Sequence, residues 1–173
     1  APKKKLYKVG MVAKYLDNED SYFSVVEALK AAGWDNSADV QIEWIDAERL
    51  ERSPRTVGKV LKSVDGIVVP GGFGNRGIEG KILAADYALK NNLPYLGLCL
   101  GMQVAAISAV RQTGIKDANS TEFDPRTPEP VINTMDDQVG KEGTGGTMRL
   151  GAYKCSLKSG SIAKKLYKQT MIS

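Results

Sequence analysis

The chain contains no histidine among its 173 residues. That removes the commonest general base near neutral pH and the commonest metal ligand together. Cysteine is nearly as scarce. Cys99 and Cys155 are too few for a disulfide framework, and neither has a second cysteine at metal-ligand spacing, so no metal site is expected. No apolar run approaches the roughly 20 residues of a spanning helix. Nor does the N-terminus show an apolar segment followed by a small-residue cleavage site. No membrane partner is expected, and the default location is cytoplasmic. Excess charge of one sign is also lacking: Lys+Arg 24 against Asp+Glu 20 leaves +4. The clustered positives Lys3, Lys4, Lys5 and Lys8 have no aromatic-interleaved patch beside them, which argues against a nucleic-acid partner. Residues 1–7 therefore read as a solvated linker.

What is present is ordinary globular composition, 42% hydrophobic and 25% charged, enough for one core. Residues 8–13 form a short apolar run that predicts a buried strand. Tyr22, Val25, Val26 and Leu29 then fall on one helical face, with Asp20 or Ser21 as cap and Gly33 as stop. Residues 40–45 alternate with period two, which predicts a strand at or near a sheet edge. Val57, Val60 and Leu61 predict a short helix. Gly66–Val69, ended by Pro70, predicts a central parallel strand. Ile78–Asn91 predicts a helix with Ile82, Ala85 and Leu89 inward. Residues 94–98 predict another buried strand, and 101–111 a helix. Beyond Gly114 the pattern weakens: 119–129 is rich in turn formers, 140–146 is a glycine-rich loop, and 147–153 predicts a strand. A last helix is expected near Ser161, with Ile162, Ala163 and Leu166 inward. Alternating strands and helices of this length predict an α/β fold, a doubly wound, mostly parallel sheet with helices on both faces and ligands at the carboxyl ends of the strands.

Two glycine-rich loops follow central strands. In Gly97-Leu98-Cys99-Leu100-Gly101 the cysteine has the glycine spacing of a nucleophile elbow, the sharp strand-to-helix turn that presents a reactive side chain. The amides that open the following helix favour a thiolate. The Leu100 N–H can point at the oxygen of a tetrahedral intermediate, and Gly72, after the neighbouring strand, can supply a second donor. Each such donor is worth on the order of 3 kcal/mol in the transition state. The competing reading makes Cys99 a buried small hydrophobe and the glycines mere packing. For residues 70–77 the competing reading is a phosphate cradle, although neither phosphate-loop spacing is present. Cys155 has no elbow and reads as structural.

Several segments together carry a family resemblance. Val69-Pro70-Gly71-Gly72-Phe73-Gly74, Arg76-Gly77, Gly80-Lys81, the Cys99 elbow through Gln103, Ala118-Asn119-Ser120-Thr121-Glu122-Phe123 and Gly145-Gly146-Thr147-Met148-Arg149-Leu150-Gly151 resemble the glutaminase domains of CTP synthases. These are triad-type class I glutamine amidotransferases with a flavodoxin-like fold, and the resemblance runs from about residue 8 to the C-terminal end. It implies Cys99 as nucleophile on the glutamine carboxamide and an oxyanion hole of Gly72 and Leu100. It further implies a glutamine pocket of Gly72, Phe73, Leu100, Gln103 and Glu122. Arg76, Lys14 and Tyr15 are implied candidates for contact with GTP, the family's allosteric activator. The domain itself would carry no cofactor, while the parent enzyme would use ATP and Mg2+ to aminate UTP to CTP. Its partners would be an N-terminal synthetase domain of the same polypeptide and, as a homotetramer, further copies. The family's catalytic His and Glu have no counterpart in this sequence. Residues 8–173 are thus expected to be a glutaminase domain without its C-terminal part, inactive alone. The alternatives are a DJ-1- or peptidase-like cysteine hydrolase and a non-catalytic α/β regulatory module.

Overall fold

A computed structural model describes residues 4–14, 19–135 and 151–173. The chain divides into two compact units, residues 1–137 and 138–173.

In the first unit, β1 (Lys5–Ala13), β2 (Ala38–Asp46), β3 (Gly66–Val69) and β4 (Tyr95–Gly97) form one parallel sheet in the order β2-β1-β3-β4. The strand order reverses direction at β1, so the crossovers wind to both sides of it, as a doubly wound sheet requires. Alternate residues of the central strands divide between two cores. Met11, Ala13 and Val68 meet Tyr22, Val25, Val26 and Leu29 around α1 (Phe23–Asp35). Val12, Ile67 and Val69 pack with residues of α3 (Val57–Leu61), α4 (Ile78–Asn91) and α5 (Leu100–Gln112). Period-two alternation in buried strands thus assigns each face its own helices.

The predicted strand at 8–13 begins earlier, at Lys5, because Lys5, Leu6 and Tyr7 pair with Ala38, Asp39 and Val40 through their backbones while their side chains stay exposed. Hydrophobic patterning cannot register such residues. A 3-10 turn, Glu19–Tyr22, precedes α1, and no side chain caps that helix. Gly33 does not stop it. The glycine lies buried inside α1, where a Cβ would come within 2.9 Å of Val40 Cγ2 and 3.1 Å of the Ala38 carbonyl. Its role is close approach of helix to strand. A helix absent from the sequence reading, α2 (Ala47–Arg52), is capped by Asp46, whose carboxylate accepts from the Glu48 N–H at 2.8 Å.

On α4, Ile82 and Ala85 are buried as expected, but Leu89 is exposed; the inward face is completed by Ile78, Lys81, Ala84 and Ala88. The strand expected to be buried at 94–98 is β4, which ends the described sheet and leaves Leu96 51% exposed. Within the turn-rich stretch after Gly114, β5 (Ala118–Ser120) and β6 (Glu129–Ile132) make a short parallel pair with an irregularity at Ser120.

The second unit contains β7 (Cys155–Ser156) paired antiparallel with β8 (Met171–Ile172), and α6 (Ile162–Tyr167) between them. Ser161 caps α6 by accepting from the Lys164 N–H. Ile162 and Leu166 are 75% and 74% exposed, not inward, because among the described residues no apolar layer covers that face of this short helix. The strand predicted at 147–153 falls largely outside the described residues, and Gly151, Ala152 and Tyr153 are not strand. The glycine-rich stretch 140–146 and most of the segment from Gly145 to Gly151 also lie outside the described residues.

Candidate active site

Cys99 occupies the junction between β4 and α5 with φ 53° and ψ −109°, a left-handed conformation that a β-carbon makes costly. The surrounding backbone enforces it. Val69 O accepts from Leu98 N at 3.0 Å, and Leu98 O from Gly101 N at 2.9 Å. The Cys99 carbonyl already accepts from Met102 and Gln103. A Cβ on Gly97 would lie 2.5 Å from the Gly101 carbonyl carbon, and one on Gly101 would lie 1.9 Å from Val69 O. Only residues without side chains allow the helix to start this close to the strand end. Tyr95 fixes the same turn, its hydroxyl donating to Gly101 O at 2.6 Å, and burial pushes that phenol above its ordinary pKa.

The sulfur is not sealed in the core. Cys99 is exposed and free, which removes the reading as a buried hydrophobe. Cys155 is also exposed and free, in β7 of the other unit, so it does not fill a structural core position.

Three strand ends converge on this point. Lys14 directly follows β1, the Pro70–Gly77 loop follows β3, and Cys99 follows β4. A Cβ built on Gly71 would stand 3.4 Å from Cys99 Cβ and 3.9 Å from its Sγ; one on Gly72 would stand 3.9 Å from Leu100 Cδ2. The structure therefore brings Gly72, Cys99 and Leu100 together. Neither the Gly72 nor the Leu100 amide has a hydrogen-bond acceptor among the described residues. Gln103 lies one helical turn beyond Cys99 on α5 and is partly buried. Phe73 has a half-exposed ring and a backbone carbonyl that accepts from Lys14. Glu122 is exposed just after β5, and its carboxylate acts electrostatically on Lys14.

The residues weighed for nucleotide contact are distributed differently. Lys14 is only 7% exposed, and its ammonium donates to the Phe73 and Gly74 carbonyls. Burial lowers its pKa, while the Glu122 carboxylate opposes the shift. Arg76 is exposed and pairs with Glu48 of α2. Tyr15 lies outside the described residues. As a phosphate cradle the loop is poorly disposed, because the Gly77 amide at the start of α4 already donates to Glu51 at 3.0 Å. An acidic pair on α2 thus occupies that end of the loop.

Sequence reasoning missed the depth of Lys81. It sits about one turn beyond Ile78 and directly before Ile82 on α4, is 0% exposed, and donates from Nζ to Pro70 O at 2.9 Å. A single cation interrupting an otherwise apolar helical face was the available signal. Burial pushes its pKa down to about 7; Lys14 acts in the same direction and Cys99 opposes both. Its folded pKa lies below the ordinary 10.5, so between about pH 7 and 10.5 the unfolded chain holds a proton that the folded chain has released. The contribution to stability is present above 10.5 and lost as pH falls through about 7. Urea titrations at pH 6, 8 and 10 should show wild-type stability rising relative to Lys81→Met by a few kcal/mol at most, in order of magnitude.

Gly80, beside it, packs α4 on α2; a Cβ there would fall 1.8 Å from Ala47 O. No group of three or more His, Cys, Asp or Glu suited to a metal ion occurs among the described residues. No described helix is long and apolar enough to cross a membrane.

Comparison with known proteins places this arrangement. The family described as glutamine amidotransferase class-I matches residues 16–171. The CTP synthase of Caldanaerobacter subterraneus subsp. tengcongensis is 53% identical over 165 residues, covering 95% of this chain and 30% of the relative. The CTP synthase of Roseiflexus sp. is 54% identical over 169 residues, covering 96% and 30%. This chain therefore spans about a third of the length of such curated relatives. Among solved structures, the Trypanosoma brucei CTPS glutaminase domain with bound acivicin superimposes with a TM-score of 0.84 at 38% identity, over 95% of this chain and 64% of that one.

Proposed function

This chain belongs to the class-I glutamine amidotransferases, and on that premise we propose that it is the glutaminase part of a CTP synthase, hydrolysing glutamine at Cys99 to supply ammonia for the ATP-dependent amination of UTP. The observation that carries the reading is the exposed thiol at a positive-φ elbow beside the Gly72 loop and Leu100, whose amides have no acceptor among the described residues.

The chemistry follows from that geometry. The Cys99 thiolate adds to the glutamine carboxamide carbon, and the carbonyl oxygen takes up negative charge facing the two amides. When the tetrahedral adduct collapses, the C–N bond breaks, the nitrogen accepts a proton and leaves as ammonia, and a glutamyl thioester remains. Water then cleaves the thioester, releasing glutamate and restoring the thiol. Glu122 would supply negative charge for the substrate's α-ammonium, and Phe73 and Gln103 would help hold the glutamine. Taking the thiol's proton and returning one to the leaving nitrogen is worth roughly 100- to 10,000-fold, and this chain has no imidazole to do either. The 173-residue polypeptide by itself is therefore proposed to turn over little or no glutamine.

The relatives, which are CTP synthases, support CTP as the product of the whole enzyme, and the acivicin bound in the trypanosome domain supports a ligand site in this part of the fold. ATP and Mg2+ would serve the synthetase part, with GTP as activator and a tetramer as the assembly. The test is active-site labelling. A diazo-ketone analogue of glutamine, or acivicin, should modify Cys99 stoichiometrically, with glutamine protecting it and Cys155 untouched, as read by intact mass and peptide mapping. A Cys99 that reacts with iodoacetamide but resists both compounds would count against the glutaminase and favour a different hydrolase or a non-catalytic module.

A further inference from the structure

The loop that carries Gly72 is held at both ends by lysine amino groups. Lys81 Nζ reaches up from α4 to the Pro70 carbonyl at 2.9 Å, and Lys14 Nζ reaches from the end of β1 to the carbonyls of Phe73, at 3.0 Å, and Gly74. Between these tethers lie only Gly71 and Gly72. Two consecutive glycines have the widest backbone freedom of any dipeptide, and residues 70–73 lie outside helix and strand. A trans peptide points its carbonyl and the next residue's N–H in opposite directions. Fixing the carbonyls of residues 70, 73 and 74 thus fixes the flanking peptide planes and limits where the Gly72 amide can point.

We propose that Lys81 and Lys14 form a clamp that aims the Gly72 amide at the oxyanion, making both lysines positioning residues for the glutaminase reaction. The inference rests on the functional reading above. It also accounts for an otherwise costly feature, a lysine with no exposed surface on an apolar helical face. Burying an amine under the loop is of use only if its hydrogen bond to Pro70 matters. That bond survives deprotonation, because a neutral amine still donates.

A structural role alone would slow every reaction of Cys99 alike, whereas a clamp acts only where an oxyanion forms. Two rates at Cys99 separate these cases in the complete protein carrying Cys155→Ser. Iodoacetamide alkylates by displacement without an oxyanion. A chloromethyl-ketone analogue of glutamine first adds through its carbonyl and does form one. Loss of one oxyanion donor costs on the order of 100- to 1,000-fold, so partial misalignment in Lys81→Met should lower the ketone rate about 10- to 100-fold while the iodoacetamide rate stays within about threefold. Lys14→Gln should show the same selective loss, and it carries the test if Lys81→Met does not fold. Parallel changes in the two rates, or no change in either, would overturn the clamp. A parent protein that takes iodoacetamide but never the ketone would overturn the glutaminase reading itself, and the clamp with it.

Discussion

Cys99→Ala is expected to abolish glutamine-dependent ammonia release by the complete enzyme while leaving the fold intact. The described site holds one exposed thiol, and the helix start, the flanking glycines and the Gly72 loop are all arranged around it. Deleting the nucleophile of a covalent hydrolase costs on the order of a million-fold in turnover. The side chain is exposed, so its removal leaves no cavity. Alanine inherits the unfavourable φ of 53° and the strain that goes with it. Glycine does not, and Cys99→Gly should be more stable than Cys99→Ala by about 1 kcal/mol, because the left-handed conformation no longer meets a β-carbon. Ammonia release assayed beside urea midpoints for the two variants checks both halves. Residual turnover in Cys99→Ala would place the nucleophile elsewhere.

Gly101→Ala is expected to be the more damaging change to the fold. Its Cβ would stand 1.9 Å from Val69 O and 2.9 Å from Val69 C, both backbone atoms of β3. No rotamer can relieve a clash between Cβ and main chain, so α5 must move away from the strand and take Leu100 and Val104 out of their packing. Overpacking usually costs about 1–3 kcal/mol when side chains can adjust; here they cannot, and more than about 4 kcal/mol is expected. Gly114→Ala is the informative contrast: it has φ +102° with nothing within 4 Å, so only backbone strain of about 1–3 kcal/mol applies. Circular dichroism and urea unfolding of the two variants give the comparison. Equal losses would show that the contact at Val69 is not what makes Gly101 necessary.

Most of the sheet and its central helices were legible because their signals are local. The apolar runs at Val9 to Ala13 and Gly66–Val69 needed no distant information, and Ile78–Asn91 matches its helical pattern end to end. The elbow was legible for the same reason, since the glycines two residues either side of Cys99 clash with backbone only a few positions away or with the adjoining strand. What failed had its cause outside the local window. Leu89 fits the apolar face of α4 yet stays half exposed, and Gly33, which looks like a stop, is a contact point with β2. Ala47–Arg52 has too few apolar residues to show a period, and it is held instead by the Asp46 cap and by packing on Gly80.

The sequence alone specified an α/β chain with a cysteine at a tight bend, because backbone sterics and hydrophobic periodicity operate between residues a few positions apart. Only the tertiary structure decided that the ends of β1, β3 and β4 meet, that Lys81 lies wholly inside, and that two lysine amino groups bond to the carbonyls of the Gly72 loop. Burial is set by which elements come to lie against a side chain from distant parts of the chain. Nothing in the immediate neighbourhood of Lys81 or Lys14 encodes that.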